Sequence, residues 1–111
     1  AFMHLVMEKD RIPAAALTQE SNGAVKELVK RDSSAIGFMS LGLVGKELKA
    51  LAIDGVEPTH DNVLSGAYKL ARPFLFVVKG APSPAAQKFI EFVLSPEAQK
   101  ILEDEGLVRA K

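Results

Sequence analysis

The chain has 111 residues, 48% of them hydrophobic and 25% charged, with a formal net charge of zero and no cysteine. Such a length suits one domain with one core, and neutrality removes the electrostatic footprint by which nucleic acid or an anionic membrane would be held. The lack of cysteine removes disulfides, thiolate catalysis and zinc ribbons without placing the protein in a compartment, and no apolar run approaches the roughly 18 residues of a membrane span.

Phe2, Leu5 and Val6 stand at i, i+3 and i+4, a helical stripe over residues 1–8 with no cap residue ahead of it. A helix that opens inside its own pattern suggests a further segment upstream of Ala1. Residues 9–13 form a polar exit, and residues 14–17 are compatible with one more helical turn. The polar run 18–23 feeds a second stripe, Ala24, Val25, Leu28 and Val29, that ends on Lys30-Arg31, a basic terminus that suits the helix dipole. Residues 35–39 (Ala-Ile-Gly-Phe-Met) read as a short buried strand, its glycine marking the close approach of another backbone. Residues 41–44 read either as a helical turn or as a loop. A third apolar run, 48–53, reads as a strand stopped by the Asp54-Gly55 turn, and 58–66 as a loop with a short helix through Val63 and Leu64.

The last third carries the clearest signals. Residues 74–78 (Phe-Leu-Phe-Val-Val) are five apolar residues in a row, the pattern of a strand buried on both faces. Ser83-Pro84 and Ser95-Pro96 each place a capping hydroxyl before a proline at the first helical position, where its missing N–H is no loss. Ala86, Phe89, Ile90 and Val93 line one helix, and Ala98, Ile101 and Leu102 the next. Gly106 is suited to the left-handed stop, with Leu107 placed to fold back on Leu102. Strands and helices interleave, so the expected fold class is α/β, a mixed sheet flanked by helices.

Site-like chemistry is sparse. Ser21-Asn22-Gly23 opens a helix whose free N–H groups and positive dipole end suit an anion; the same residues also serve as a plain cap. His4 and His60 have no second ligand at i+3 or i+4, so no metal site is assigned. Glu103-Asp104-Glu105 reads as a solvated acidic turn, because acid/base pairs need opposed groups in a cleft. Arg72 reads as a structural ion pair or as a partner for an anion across a cleft. There is no Gly-x-Ser-x-Gly elbow and no phosphate-cradling Gly-Lys loop, so no catalytic residue and no cofactor are assigned.

Ser21-Asn22-Gly23-Ala24-Val25, Ala35-Ile36-Gly37-Phe38-Met39-Ser40-Leu41-Gly42, Ala50-Leu51-Ala52-Ile53-Asp54-Gly55-Val56-Glu57-Pro58-Thr59, Leu70-Ala71-Arg72-Pro73-Phe74-Leu75-Phe76 and Phe89-Ile90-Glu91-Phe92-Val93-Leu94-Ser95-Pro96-Glu97 together resemble the C-terminal part of phosphate-binding proteins, the solute receptors of bacterial phosphate ABC transporters. The resemblance covers essentially the whole chain, and its specificity lies in the order and spacing of the pieces. It implies two α/β lobes of the type II periplasmic-binding-protein fold closing on a dehydrated oxyanion. Residues 1–47 would belong to the second lobe and 54–111 to the first, with a crossover between. The Ser-Gly-Thr-Arg loop of such receptors is absent from this sequence, as are the hydroxyl loops and aspartate of the first lobe. Of the family's ligand-cleft segments only Ser21, Asn22 and Gly23 are matched.

The implied function is capture of inorganic phosphate and its delivery to membrane permease subunits, with no reaction on the ligand, in a periplasmic or otherwise extracytoplasmic setting. The alternatives are a receptor for molybdate, tungstate or sulfate, and a sensor domain of the same fold. A chain holding pieces of both lobes is expected to pair with a missing N-terminal portion, to self-associate, or to leave apolar strand edges exposed.

Overall fold

Capping side chains decide where the helices of this chain begin. The computed structural model describes residues 2–110, and in it each of four α-helices starts at a hydroxyl that accepts a backbone N–H three residues on. Ser21 caps α1 (Asn22–Arg31), Thr59 caps α2 (His60–Leu64), Ser83 caps α3 (Pro84–Val93) and Ser95 caps α4 (Pro96–Asp104). The expected prolines occupy the first turns of α3 and α4. Gly106, at φ 86°, terminates α4: its N–H donates to the Glu103 carbonyl at 2.9 Å and that of Leu107 to the Leu102 carbonyl at 3.0 Å. These paired bonds make the glycine stop that satisfies the last carbonyls of a helix.

The opening stripe forms a π-helical turn, Met3–Met7, with no side-chain cap at its start. Its first expected residue, Ala1, and the last residue of the chain, Lys111, lie outside the described residues. Phe2 stacks on Phe38 with ring centroids 4.4 Å apart and planes 3° from parallel. Residues 41–44, read as turn or loop, hold a 3₁₀ turn, Leu41–Leu43.

The expected sheet does not form among the described residues. Residues 35–39 and 74–78 belong to no ladder, and the run 48–53 contributes a single isolated bridge, Ile53 to Val56. That bridge closes the Asp54-Gly55 turn, with φ 51° and 79° at the two central residues, the pattern of a tight hairpin. The correction concerns burial too: Phe74, Leu75, Phe76, Val77 and Val78 are all exposed, as are Ile36 and Phe38. A strand exists by pairing with a neighbour, and an apolar run without one has neither ladder bonds nor cover. Gly37 does sit at a close approach, but to side chains: a Cβ there would lie 2.9 Å from Val25 Cγ1 and 3.0 Å from Val29 Cγ2.

Packing concentrates in two places. α1 packs with the 3₁₀ turn, and α3 with α4. Between them the backbones of Gly42 and Gly106 touch, so that a Cβ on Gly42 would stand 2.4 Å from the Gly106 Cα. Among the described residues Ala98 and Gln99 alone are buried. The radius of gyration is 16.8 Å, against about 13 Å for a compact domain of this length.

Candidate functional site

The first turn of α1 gathers the residues that the sequence singled out. Ser21 has extended backbone (φ −145°), which turns its Oγ back to accept the Ala24 N–H at 3.1 Å, while its carbonyl accepts the Val25 N–H at 3.2 Å. The plain capping role of Ser21 is therefore filled. The N–H groups of Asn22 and Gly23 precede the first intrahelical bond and remain available, at the positive end of the dipole. Gly23 leaves the approach open, since a Cβ there would meet nothing nearer than Ser21 Oγ at 3.9 Å.

The fold adds Ser40, which the sequence reading did not single out. Its Oγ accepts a hydrogen bond from Asn22 Nδ2 at 3.3 Å, across 18 residues of sequence. The cluster thus presents two hydroxyls, one carboxamide and two backbone N–H groups, all neutral donors suited to an oxyanion. No local pattern points to Ser40, because only the path of residues 35–40 beside α1 brings it there. Next to the cluster lies an open depression of about 630 Å³ lined by Ile12, Leu17, Ser21, Asn22, Val25 and Phe38 among others. Its largely apolar wall suits packing better than an anion.

The other end of α1 is held by charge. The Glu47 carboxylate meets Lys30 Nζ at 3.0 Å and Lys26 Nζ at 3.3 Å. The hydrogen bond from Lys30, reinforced by Lys26, holds the Glu47 carboxyl below its ordinary range, and the same bond holds the Lys30 ammonium above its own. Asp32 is also held low, by the Ser34 hydroxyl at 2.6 Å and amide at 2.9 Å.

The remaining candidates stay apart from this cluster. His4 lies in the π-helical turn and His60 opens α2. Glu103 pairs with Arg109 at 3.9 Å and Asp104 with Lys100 at 3.4 Å, on the exposed side of α4. Arg72 makes no ion pair among the described residues. No helix among the described residues is long and apolar enough to cross a membrane.

Residues 2–97 match the sequence model of the PBP superfamily domain, and the chain belongs to that family. It is 39% identical over 102 residues to the phosphate-binding protein PstS 2 of Streptococcus pneumoniae, a match over 92% of this chain and 35% of the relative. With the phosphate-binding protein PstS of Bacillus subtilis the identity is 32% over 98 residues, or 86% of this chain and 33% of the relative. The chain spans about a third of the length of these curated relatives.

Solved structures agree. The crystal structure of a phosphate-binding protein of a phosphate ABC transporter from Streptococcus pneumoniae superposes with a TM-score of 0.81 at 40% identity, covering 88% of this chain and 38% of that one. A candidate phosphate ABC transporter substrate-binding protein from Clostridium perfringens, crystallised with bound phosphate, superposes with a TM-score of 0.79 at 33% identity, covering 99% of this chain and 46% of that one. The described residues therefore share the arrangement of part of a periplasmic-binding-protein fold.

Proposed function

We propose that these residues form the C-terminal portion of the phosphate-binding component of a bacterial ABC transporter, which captures inorganic phosphate outside the cytoplasm and delivers it to the permease subunits without altering it. The observation that carries this reading is the likeness, over 99% of the chain at 33% identity, to a substrate-binding protein crystallised with phosphate. In this assignment residues 1–47 belong to the second lobe and 54–111 to the first, the crossover lies between, and a mixed sheet of the type II fold is completed by the rest of the receptor. Ser21, Asn22 and Gly23 are the ligand-facing residues. The Ser21 hydroxyl hydrogen and the Asn22 and Gly23 N–H groups are the donors, and Ser40 steers the Asn22 carboxamide through their 3.3 Å contact. Such donors exchange water for phosphate oxygens without introducing a reacting group, as a carrier requires.

The test is a chimera of the pneumococcal relative in which the matched 102-residue stretch is replaced by that of this chain. Calorimetric titration is expected to show saturable phosphate binding in preference to sulfate, weakened about tenfold or more by Ser21→Ala, since a lost bond to a charged group costs about 1.5 to 3 kcal/mol. A folded chimera that binds neither anion, or binds sulfate equally well, overturns the assignment.

A further inference from the structure

The chain holds two asparagines, Asn22 and Asn62, and each stands one residue ahead of a backbone nitrogen that can close on its side-chain carbonyl carbon to form a five-membered imide. The fold treats the two oppositely. After Asn62 comes Val63, whose β-branched side chain crowds its own nitrogen and whose N–H is engaged by the Thr59 carbonyl at 2.9 Å. The Asn62 carboxamide donates to the Glu57 carbonyl at 2.9 Å, and both residues are half-buried. After Asn22 comes Gly23, which has no Cβ, and its N–H meets no acceptor among the described residues. Both residues are exposed, and the Asn22 carboxamide is tethered by a single bond, to Ser40 Oγ at 3.3 Å. Helical backbone at Asn22 turns the carboxamide away from the Gly23 nitrogen, so closure needs rotation between the two residues. That rotation breaks only the bonds of the first turn, from the Ala24 N–H to Ser21 Oγ and from the Val25 N–H to the Ser21 carbonyl. Terminal turns open at little free-energy cost.

We infer that Asn22-Gly23 is a self-deamidating site, at which the Gly23 nitrogen displaces the Asn22 amide and the carboxylate left behind retires the anion site at the start of α1. The Gly23 nitrogen attacks Asn22 Cγ: the N–Cγ bond forms, the Cγ–Nδ2 bond breaks, and the Gly23 amide proton leaves with the departing nitrogen as ammonia. Water then opens the imide. Cleavage of the new N–Cγ bond gives aspartate on the normal backbone, and cleavage of the bond from the Gly23 nitrogen to the Asn22 carbonyl carbon gives isoaspartate, with the chain routed through Cβ. Water is consumed and ammonia released, and nothing is oxidised or reduced. The consequence for binding rests on the receptor reading above. There the Gly23 N–H is a donor to the anion, so the donor and the attacking nitrogen are the same atom: a filled site is protected and an empty one ages. A carboxylate at residue 22 accepts hydrogen bonds and donates none, so it repels the anion that the carboxamide admitted. The same negative charge suits the positive end of the α1 dipole, so the aspartate form stays folded.

Peptide mapping by mass, on the folded chimera kept in phosphate-free, mildly alkaline buffer, tests this. Asn22 is expected to gain the mass of an amide-to-acid exchange about tenfold faster than Asn62, or more. Ser40→Ala, which frees the carboxamide, should speed the change about threefold. Gly23→Ala should slow it about tenfold, because it crowds the attacking nitrogen and stiffens the first turn; the added Cβ meets nothing nearer than 3.9 Å, so the variant folds. An Asn22 that converts in urea but not in the folded chimera overturns the inference, as does an Asn62 that converts equally fast or a Gly23→Ala variant that ages like its parent. The ligand consequence is read separately. The aspartate form, isolated by anion exchange, should keep the melting curve of the intact form and bind phosphate about tenfold more weakly, or worse. Phosphate at about ten times its Kd should slow the conversion about tenfold, in proportion to the sites left empty. An aspartate form that binds as tightly as the intact one, or a conversion rate indifferent to bound phosphate, overturns the retirement of the site. An intact chimera that binds no phosphate defeats the receptor reading, and the mass map alone then upholds or overturns the self-modification.

Discussion

The α3–α4 end and the segment just before it lie side by side, yet they behave oppositely. From Ser83 to Leu107 the signals act over three or four residues: hydroxyl caps, first-turn prolines, an amphipathic stripe and a glycine stop. The caps and the glycine stop are satisfied within the chain, although Phe89 and Ile101 on the two stripes stay exposed. Residues 74–78 are more apolar than either helix, yet they stand exposed with their backbone unpaired. Hydrophobicity alone does not bury a strand, because its hydrogen bonds belong to neighbours that are distant in sequence. A helix carries its own.

The contrast is broken most severely at the joint between the two halves. The Gly42 and Gly106 backbones are in contact, and a Cβ on Gly42 would stand 2.4 Å from Gly106 Cα and 2.6 Å from its carbonyl oxygen. Backbone cannot swing aside as a side-chain tip can, so Gly42→Ala should force the halves apart. The expected cost is about 3 kcal/mol, the upper part of the usual overpacking range, read as a fall in the urea midpoint. An unchanged midpoint would show that the contact does not couple the halves.

Gln99 sharpens the comparison from within the well-made end. Its Nε2 donates to the Val93 carbonyl at 2.8 Å, and its Oε1 accepts the Ala110 N–H at 2.7 Å, so one carboxamide ties the C-terminal segment to the α3–α4 turn. It is one of the two buried side chains among the described residues. Gln99→Leu keeps the volume and strands both backbone groups, for an expected loss of about 2 kcal/mol. Faster amide exchange at Ala110 would localise the effect.

Smaller again is the loss of a single cap. The Ser95 Oγ accepts from the Ala98 N–H at 3.4 Å and donates to the Phe92 carbonyl at 2.6 Å, serving two helices at their junction. Ser95→Ala should lower stability by about 1 kcal/mol. Ser83→Ala, which removes a cap with one bond at 3.2 Å, should cost less. If the two variants unfold alike, the second bond of Ser95 adds nothing.

These differences explain what was legible in the sequence. The caps at Ser21, Ser83 and Ser95, the glycine stop at Gly106 and the Asp54-Gly55 turn were readable because cause and effect lie within a few residues. Ladder formation at 35–39, 48–53 and 74–78 was not, since apolar content states a preference for cover and says nothing of which chain supplies it. At the site the same division holds. Ser21 announced itself as a cap, while Ser40 reaches Asn22 only through the fold. The Gly42–Gly106 contact and the pairing of Glu47 with Lys26 and Lys30 are likewise products of tertiary path, with no spacing rule to reveal them.

The pairing at Glu47 gives the smallest effect and the one whose sign is set by titration. Its carboxyl is held below the ordinary carboxylate range by Lys30 first and Lys26 second, so its contribution is full above that range and is lost as pH falls through the depressed value. Lys30 is held above its ordinary value by the same partner, so its share is full below that value and is lost only as pH rises through the raised one. Across neutral pH the cluster is therefore at full strength, and Glu47→Gln should melt slightly below the parent chain at pH 7. At acid pH the parent loses the charge that the variant never had, and the gap should close. Asp32, held low by Ser34, titrates on the acid side in both proteins and cancels in the difference. All three partners face solvent, so salt screens the attraction, and about 1 M sodium chloride at pH 7 should close the same gap. A gap that survives both treatments would mean that Glu47 holds the segment after the 3₁₀ turn against α1 by shape, and the charge would be incidental.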